Sequence, residues 1–268
     1  MEAQKFKNKI ALEKIIPSSE FFEIFSHRQI VEIINDLQIS KEINLKFDYV
    51  NKGAFYWHEL VFNKNYKNVS SISQILQNSI DFITSKMPKS HKINLIEIGP
   101  GDSSTRLNLI KTFQNKKLLN KYIAVDISQE MLKIAKMKLS ENIKNLNFES
   151  YIRDIEENDI KEICFETKNE RIMNILLFID TIGNFNNQSH VWSNLYRSLG
   201  NEDLLIISNK LDKNQNKSNF SSPSLVTNLL LNAPRMLNLV EENPKIHYIL
   251  MKKNKLGVLI WSLKKTIF

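Results

Sequence analysis

Cysteine is almost absent from this chain of 268 residues, since Cys164 is its only one. A single cysteine cannot form an internal disulfide, so the stability of the fold has to come from a hydrophobic core. Apolar residues make up 42% of the sequence, but no apolar run reaches the roughly eighteen residues that a membrane helix needs. The N-terminus lacks the apolar segment of a signal peptide. These absences predict a cytoplasmic chain that does not span a membrane.

Histidine and glycine are also scarce, with five and six residues respectively. The histidines are scattered without the spacing of metal ligands, so we expect no metal site. They are His27, His58, His91, His190 and His247. The sequence also lacks a Gly-Lys-Ser/Thr phosphate loop, which argues against a nucleoside triphosphate as ligand.

Two of the few glycines stand at the most informative place in the chain. The apolar segment 93–98 stops at Gly99-Pro100-Gly101, and polar residues then open a helix. Asp126 follows at the end of a second apolar segment, 122–126. A glycine turn combined with an acid at a strand end is typical of Rossmann-like sheets that bind a nucleoside. The alternative is an ordinary strand-to-helix turn.

The residues around this loop restrict the nucleoside that it could bind. The dinucleotide fingerprint has a third glycine where the helix closes on the strand, and Ser104 stands there instead. This difference argues against NAD and FAD. Glu97, just before the loop, would repel a phosphate but suits an ammonium or sulfonium group. The pattern therefore favours S-adenosylmethionine (SAM), which carries both cations and no phosphate.

Apolar segments and helical patterns alternate along the middle of the chain. The strands are predicted at 92–98, 121–126, 147–152, 172–179 and 203–208, and the helices between them at 103–116, 129–140, 157–165 and 187–199. Strands that are apolar along their whole length and joined by helices indicate a parallel sheet buried on both faces. Right-handed crossovers make it doubly wound.

The flanking segments are predicted to complete an α/β fold of three parts. Residues 1–70 form a helical, aromatic N-terminal lid, and 71–210 form the Rossmann-like core, beginning with a helix over 71–86. Residues 211–268 supply a loop, a helix over 224–240 that Pro234 should kink or split, and an antiparallel hairpin from 245–251 and 257–263. The hairpin completes the sheet, which would then have seven strands and be mostly parallel, or caps the substrate.

Polar residues end the third and fourth strands as well. Asp154 and Ile155 follow the third strand, although Asp154 could instead cap a helix at Glu156-Glu157. Asp180 and the segment Thr181-Ile-Gly-Asn184-Phe follow the fourth. Because ligands bind at the carboxyl ends of parallel strands where the strand order reverses, we expect these loops to converge on one site.

These motifs together resemble those of the class I SAM-dependent methyltransferases. Several are similar, more narrowly, to the histidine-specific N-methyltransferases of ergothioneine biosynthesis. The similar segments are Lys46-Phe-Asp-Tyr49-Val-Asn-Lys-Gly53, the glycine loop ending in Thr105-Arg106, Val125-Asp-Ile-Ser128 and Thr181-Ile-Gly-Asn184. The resemblance implies that SAM is the cofactor and that the methionine part of SAM lies against Glu97, Gly99, Gly101 and Ser103. Asp126 would bind the ribose, Asp154 the adenine amino group, and Ile127 and Ile155 the adenine ring.

The resemblance also assigns the acceptor side of the site. It implies that Asn184 orients the acceptor and that Tyr49 helps to enclose it. From their place in the aromatic segment before the first strand, we expect Tyr56 and Trp57 to close the same lid. Asp180, His58 or solvent could take a proton from an amine. The family's Tyr-Tyr-Pro-Thr-Arg-Thr-Glu segment is replaced here at 65–71, which favours an acceptor other than histidine. We expect an amino-acid-like or peptide acceptor, methylated on an amine nitrogen or a carboxylate oxygen, as in natural-product or amino-acid modification.

Two alternatives remain open from the sequence. The net charge of +8 would suit an RNA methyltransferase, although the lysines are dispersed and there is no RNA-binding module motif. A protein of this fold could also bind SAM without turnover. The oligomeric state is not indicated by any pattern in the sequence.

Overall fold

A computed structural model describes residues 15–62, 68–88, 90–166, 171–208 and 223–239, together with the short segments 248–249 and 258–259. The chain divides into two compact units. The larger unit is Asn44–Leu230, and the other combines Met1–Ile43 with Leu231–Phe268. This division differs from the boundaries at 70 and 210 that the sequence suggested. Among the described residues, no helix combines the length and the apolar character that crossing a membrane requires.

The larger unit is built on a parallel sheet with its strands in the order β3-β2-β1-β4-β5. The strands are β1 (Lys92–Ile98), β2 (Leu119–Asp126), β3 (Phe148–Ile152), β4 (Ile172–Ile179) and β5 (Leu204–Ser208). The order reverses between β1 and β4, which are neighbours in the sheet although two other strands lie between them in the sequence. This reversal is the switch point at which doubly wound sheets bind their ligands.

Eleven α-helices are described in the two units. They are α1 (Ser19–Ile24), α2 (His27–Ile39), α3 (Lys52–Phe62), α4 (Asn68–Asn78), α5 (Ile80–Ser85), α6 (Leu107–Asn115), α7 (Gln129–Asn142), α8 (Lys161–Glu166), α9 (Gln188–Ser198), α10 (Pro223–Leu230) and α11 (Asn232–Met236). The single helix predicted over 71–86 is therefore two helices, α4 and α5. Ser79 separates them, and its hydroxyl donates to the carbonyl of Ile75 at 2.8 Å, a back-bond that often bends helices.

Both faces of the sheet are buried, because alternate residues of each strand point into different layers. On one face Leu95 and Leu177 pack with Phe113, and on the other Ile96 and Phe178 pack with other apolar side chains. Every residue of β4 is buried. The α/β class and the doubly wound parallel sheet predicted from the apolar runs are confirmed.

The expected count of seven strands in one sheet is not observed, since the sheet has five strands among the described residues. The two C-terminal strands, β6 (Tyr248–Ile249) and β7 (Val258–Leu259), pair with each other in an antiparallel ladder. They belong to a separate two-stranded sheet, and the rest of the predicted hairpin lies outside the described residues.

The second unit is described mainly by its helices. Ser26 and Gln29 form a capping box that fixes the start of α2. The helix predicted over 224–240 ends at Leu230, and a new helix begins at Asn232. Pro234 is the third residue of this new helix, where a missing N–H costs no helical hydrogen bond.

Candidate functional site

A cavity of about 420 Å³ opens at the carboxyl ends of the strands in the larger unit. Its lining comes from the glycine loop, from the ends of β2 and β3, from the loop after β4 and from the segment before α3. The lining side chains and backbone include Lys46, Tyr49, Trp57, Gly99, Gly101, Asp102, Thr105, Arg106, Asp126, Ile127, Asp154, Ile155, Asp180, Thr181, Asn184 and Phe185. Most residues predicted from the sequence are therefore brought together at one place.

The glycine loop has a backbone that only glycine adopts readily at two positions. Gly99 and Gly101 have φ angles of +65° and +56°, in the left-handed region. A Cβ atom on Gly99 would lie 2.8 Å from Cγ2 of Thr181, and one on Gly101 would lie 3.1 Å from Nε1 of Trp57. The loop is thus held between the segment after β4 and helix α3, with its backbone facing the cavity.

Asp126 closes the cavity on the β2 side. Its Oδ1 atom accepts the backbone N–H of Ser128 at 2.8 Å, and the Ser128 hydroxyl caps α7 by accepting from Met131. Burial raises the pKa of Asp126 to about 7, although the backbone N–H groups of Ser128 and Ile127 act in the opposite direction. This carboxyl group therefore changes charge near neutral pH.

Glu97 and Ser103 are fully buried and are not among the cavity-lining residues. The Glu97 carboxylate forms an ion pair with Arg106 and accepts the Tyr122 hydroxyl at 2.5 Å. The same hydroxyl lies 3.2 Å from Oγ of Ser103. Burial raises the pKa of Glu97 against the opposing effects of Arg106 and Tyr122.

Arg106 and Asp102 line the cavity where Glu97 and Ser103 were expected. Asp102 is 5% exposed, and its Oδ1 atom accepts from the N–H and hydroxyl of Ser104. Its Oδ2 atom is buried without a hydrogen-bond partner in the described part of the chain. Nδ1 of His58, also buried and without such a partner, lies 4.0 Å away, beyond hydrogen-bonding distance.

At the β3 end of the cavity, Asp154 is paired with a residue that the sequence analysis did not assign. Nζ of Lys46 lies 2.7 Å from Oδ2 of Asp154 and 3.0 Å from Oε2 of Glu156. Oδ1 of Asp154 accepts the N–H of Glu156 at 3.0 Å, and the next helix begins only at Lys161. Asp154 therefore closes a turn and does not cap a helix at 156–157.

The loop after β4 brings three polar side chains to the cavity: Asp180, Thr181 and Asn184. Asp180 has a φ angle of +52°, in the left-handed region that aspartate adopts more readily than most residues because its short side chain can form local hydrogen bonds. Its N–H donates to the Ser208 carbonyl at 2.8 Å. The N–H of Asn184 donates to the Thr181 carbonyl at 3.0 Å, which turns the chain.

The aromatic residues predicted to enclose the acceptor are divided between two places. Tyr49 and Trp57 line the cavity and pack edge to face, with ring centroids 5.6 Å apart. Tyr56 is not among the lining residues and packs near Leu60 and Val226. Tyr56 and Trp57 are adjacent residues of helix α3, and adjacent residues of a helix point in different directions, so only one of the two reaches the cavity.

Sequence reasoning missed Lys46 and Arg106. Arg106 lies in the Thr-Arg ending of the glycine loop, and Lys46 lies three residues before Tyr49 in a quoted segment. The sequence did not indicate that Lys46 pairs with Asp154 or that Arg106 pairs with Glu97, because these residues come close to each other only in the folded sheet and its loops. The only indication in the sequence was that both residues lie in segments similar to those of the histidine-specific methyltransferases.

The strand order, the glycine loop at the switch point and the acid ending β2 together define the class I fold of SAM-dependent methyltransferases. A family model described as histidine-specific, SAM-dependent methyltransferase matches residues 28–220. The chain therefore belongs to the family of histidine-specific, SAM-dependent methyltransferases, and its cofactor is SAM. A search of curated proteins found no match.

Several solved structures are similar to this chain in fold. Magnesium protoporphyrin IX methyltransferase from Synechocystis PCC 6803, with bound SAH, has 14% identity and a TM-score of 0.41, with 58% of this chain and 66% of that one covered. A SAM-dependent methyltransferase from Anabaena variabilis ATCC 29413 has 15% identity and a TM-score of 0.42, with 62% of each chain covered. The chain spans about two thirds of their length or slightly less. The family assignment consequently depends on the sequence match, and the fold class on the strand order.

Proposed function

We propose that this protein transfers the methyl group of SAM to an amino-acid-like or peptide acceptor, on an amine nitrogen or a carboxylate oxygen. The observation that carries the proposal is the arrangement of the cavity described above. Asp126 and Asp154 come from the ends of β2 and β3, Asn184 comes from the loop after β4, and Tyr49 comes from the segment before α3. The glycine loop also lines this cavity. One cavity thus combines groups suited to an adenosine with groups suited to a small polar acceptor.

The residues present fit SAM. A volume of about 420 Å³ falls within the roughly 300–1,000 Å³ of small-molecule sites. The buried, unpartnered Oδ2 of Asp102 suits an ammonium group, and the Arg106 guanidinium suits a carboxylate. SAM carries both groups on its methionine part. Asp126 in its ionised form accepts hydrogen bonds from ribose hydroxyls, and Ile127 and Ile155 offer apolar surfaces to the adenine.

The bound cofactor supplies a methyl group that is already activated, so the protein has to position the acceptor and exclude water. Asn184 can donate and accept hydrogen bonds, which suits either an amine or a carboxylate. Trp57 and Tyr49 cover the cavity with apolar surface. For an amine acceptor, Asp180 at the cavity or His58 beside Asp102 could hold the released proton. A carboxylate acceptor needs no base.

Asn184→Ala tests the division between donor and acceptor sides. We expect SAH affinity to stay within about threefold, while methyl transfer from labelled SAM falls by about 10- to 100-fold because one or two hydrogen bonds to the acceptor are lost. Free amino acids and peptides are the acceptors to screen. Asn115→Ala, at the exposed end of α6, is the matched control and should leave both quantities unchanged.

Two outcomes would contradict the proposal. SAH binding without labelling of any amino acid or peptide would exclude this class of acceptor and favour a binding protein without turnover. Full activity of Asn184→Ala would exclude the acceptor role of this side chain.

A further inference from the structure

Four side chains and one backbone N–H form a largely buried polar group that we call the Glu156 cluster: the side chains of Asn44, Lys46, Asp154 and Glu156, and the N–H of Asn187. Oε2 of Glu156 accepts from Nδ2 of Asn44 at 2.9 Å and from Nζ of Lys46 at 3.0 Å. Its Oε1 atom accepts the backbone N–H of Asn187. Lys46 also reaches Asp154 at 2.7 Å. Glu156 therefore connects three segments that are far apart in the sequence.

The Glu156 cluster is a network of ion pairs and hydrogen bonds that is largely buried. Lys46 and Glu156 are 4% and 3% exposed. Burial acts to raise the pKa of Glu156, but the Asn187 N–H and Lys46 outweigh it, and the pKa is lowered. Since a buried ion pair can often be replaced by apolar residues at little cost in stability, stability alone gives no reason for such a network here.

Each of the three connected segments also supplies a lining residue of the cavity. Lys46 and Tyr49 lie in one short 3₁₀ helix, Leu45–Tyr49. Asp154 lines the cavity itself, and Asn184 stands in the loop that leads to Asn187. The Glu156 cluster thus links the acid at the adenosine side to both residues assigned to the acceptor side.

We propose that Lys46 and Glu156 are positioning residues that couple donor binding to the ordering of the acceptor side. A donor that contacts Asp154 fixes its carboxylate, and Lys46 then holds the 3₁₀ helix that carries Tyr49. Glu156 holds the end of the loop that carries Asn184. The coupling makes the acceptor side complete only when the donor is present. This inference depends on the proposed function, because it requires SAM or SAH in this cavity.

Hydrogen exchange at saturating SAH measures the coupling without a known acceptor. In the wild-type protein we expect SAH to slow amide exchange at the glycine loop and also, by about fivefold or more, in 44–49 and 181–187. The double variant Lys46→Met with Glu156→Gln removes one charge of each sign, so the net charge of the cluster is unchanged. It should keep the protection at the glycine loop and lose the protection in the two other segments.

Two further variants make the test specific. Lys46→Met alone removes the two ion pairs that connect the 3₁₀ helix to Asp154 and Glu156 and leaves the hydrogen bond from the Asn187 N–H to Glu156 in place, so protection should be lost in 44–49 and kept in 181–187. This variant also serves if the double variant does not fold. Lys136→Met with Glu141→Gln makes the same substitutions at exposed positions of α7 and should behave as the wild type.

The outcomes separate this inference from the proposed function. Protection of 44–49 and 181–187 in the double variant, or of 44–49 in Lys46→Met, at normal glycine-loop protection, would overturn the coupling. An absence of SAH protection at the wild-type glycine loop would overturn the donor site and the coupling with it.

Discussion

Asp126 is a cavity-lining side chain whose charge changes near neutral pH. It lines the cavity, and burial raises its pKa to about 7. The protonated carboxyl can donate one hydrogen bond, whereas the carboxylate can accept from two ribose hydroxyls. The donor should therefore bind the ionised form, which becomes dominant as the pH rises above 7.

This charge change predicts a pH-dependent affinity for adenosyl ligands. The probe is 5′-methylthioadenosine, which lacks the ionising amino-acid part of SAM. With a pKa of about 7 for Asp126, its Kd should fall about tenfold between about pH 6 and about pH 8. Asp126→Asn should bind more weakly and without pH dependence in isothermal titration. A tenfold dependence that persists in Asp126→Asn would assign the titration to another group.

The ion pair between Glu97 and Arg106 shows why the role of each residue was harder to predict than the location of the site. Glu97 was expected to contact the donor, but it lies fully buried against Arg106 and Tyr122. Glu97 lies two residues before Gly99, and this position gave no indication that Arg106, seven residues after Gly99, would pair with it and line the cavity in its place. The side chains that face the cavity there are Asp102 and Arg106.

At the scale of elements, the best predicted ones are those with continuous apolar sequences. Strands β1 and β4 begin and end where they were predicted, because their apolar runs are bounded by polar or glycine residues. The boundaries of other strands and helices differ by a few residues. Helix α8 begins four residues later than expected, since the polar segment after Asp154 forms turns first. Local patterns define the interior of an element better than its ends.

The glycine loop gives a test at this scale. Gly99→Ala places a methyl group 2.8 Å from Thr181 on a residue with a φ angle of +65°. We expect the free energy of unfolding to fall by about 2 kcal/mol or more and SAH affinity to fall with it. Gly183→Ala is the matched control, because nothing lies within 4 Å of its added Cβ atom.

Urea denaturation measures both glycine variants. Gly183→Ala should change the free energy of unfolding by no more than about 0.5 kcal/mol. Equal stabilities for Gly99→Ala and Gly183→Ala would contradict the close packing of the loop against Thr181.

At the scale of the whole molecule, the charge and the cavity favour different partners. A net charge of +8 attracts nucleic acid at low ionic strength. The lysines of α7, however, lie on an exposed helix face, including Lys133 and Lys136. The cavity that carries the glycine loop is lined by acids as well as bases. We therefore propose that the basic charge belongs to solvated surface and does not serve the recognition of RNA.

This view predicts only non-specific binding to tRNA. Retention in a gel should be visible at low salt and disappear by about 0.2 M salt, since few phosphates are contacted at once. Lys133→Glu with Lys136→Glu should weaken the low-salt retention and leave SAH affinity unchanged. A discrete tRNA complex that survives about 0.2 M salt would instead support the RNA methyltransferase alternative.

The sequence by itself determined the class of fold and the class of ligand. Continuous apolar strands, helices between them, the Gly99–Gly101 turn and Asp126 are local features, and each is visible from neighbouring residues alone. The tertiary structure decided which charged side chains face the cavity. Lys46 forms ion pairs with Asp154 and Glu156, and Arg106 forms one with Glu97. These pairs exist only because separate loops converge at the carboxyl ends of the strands. Such pairings depend on distances between remote segments, which no local pattern contains.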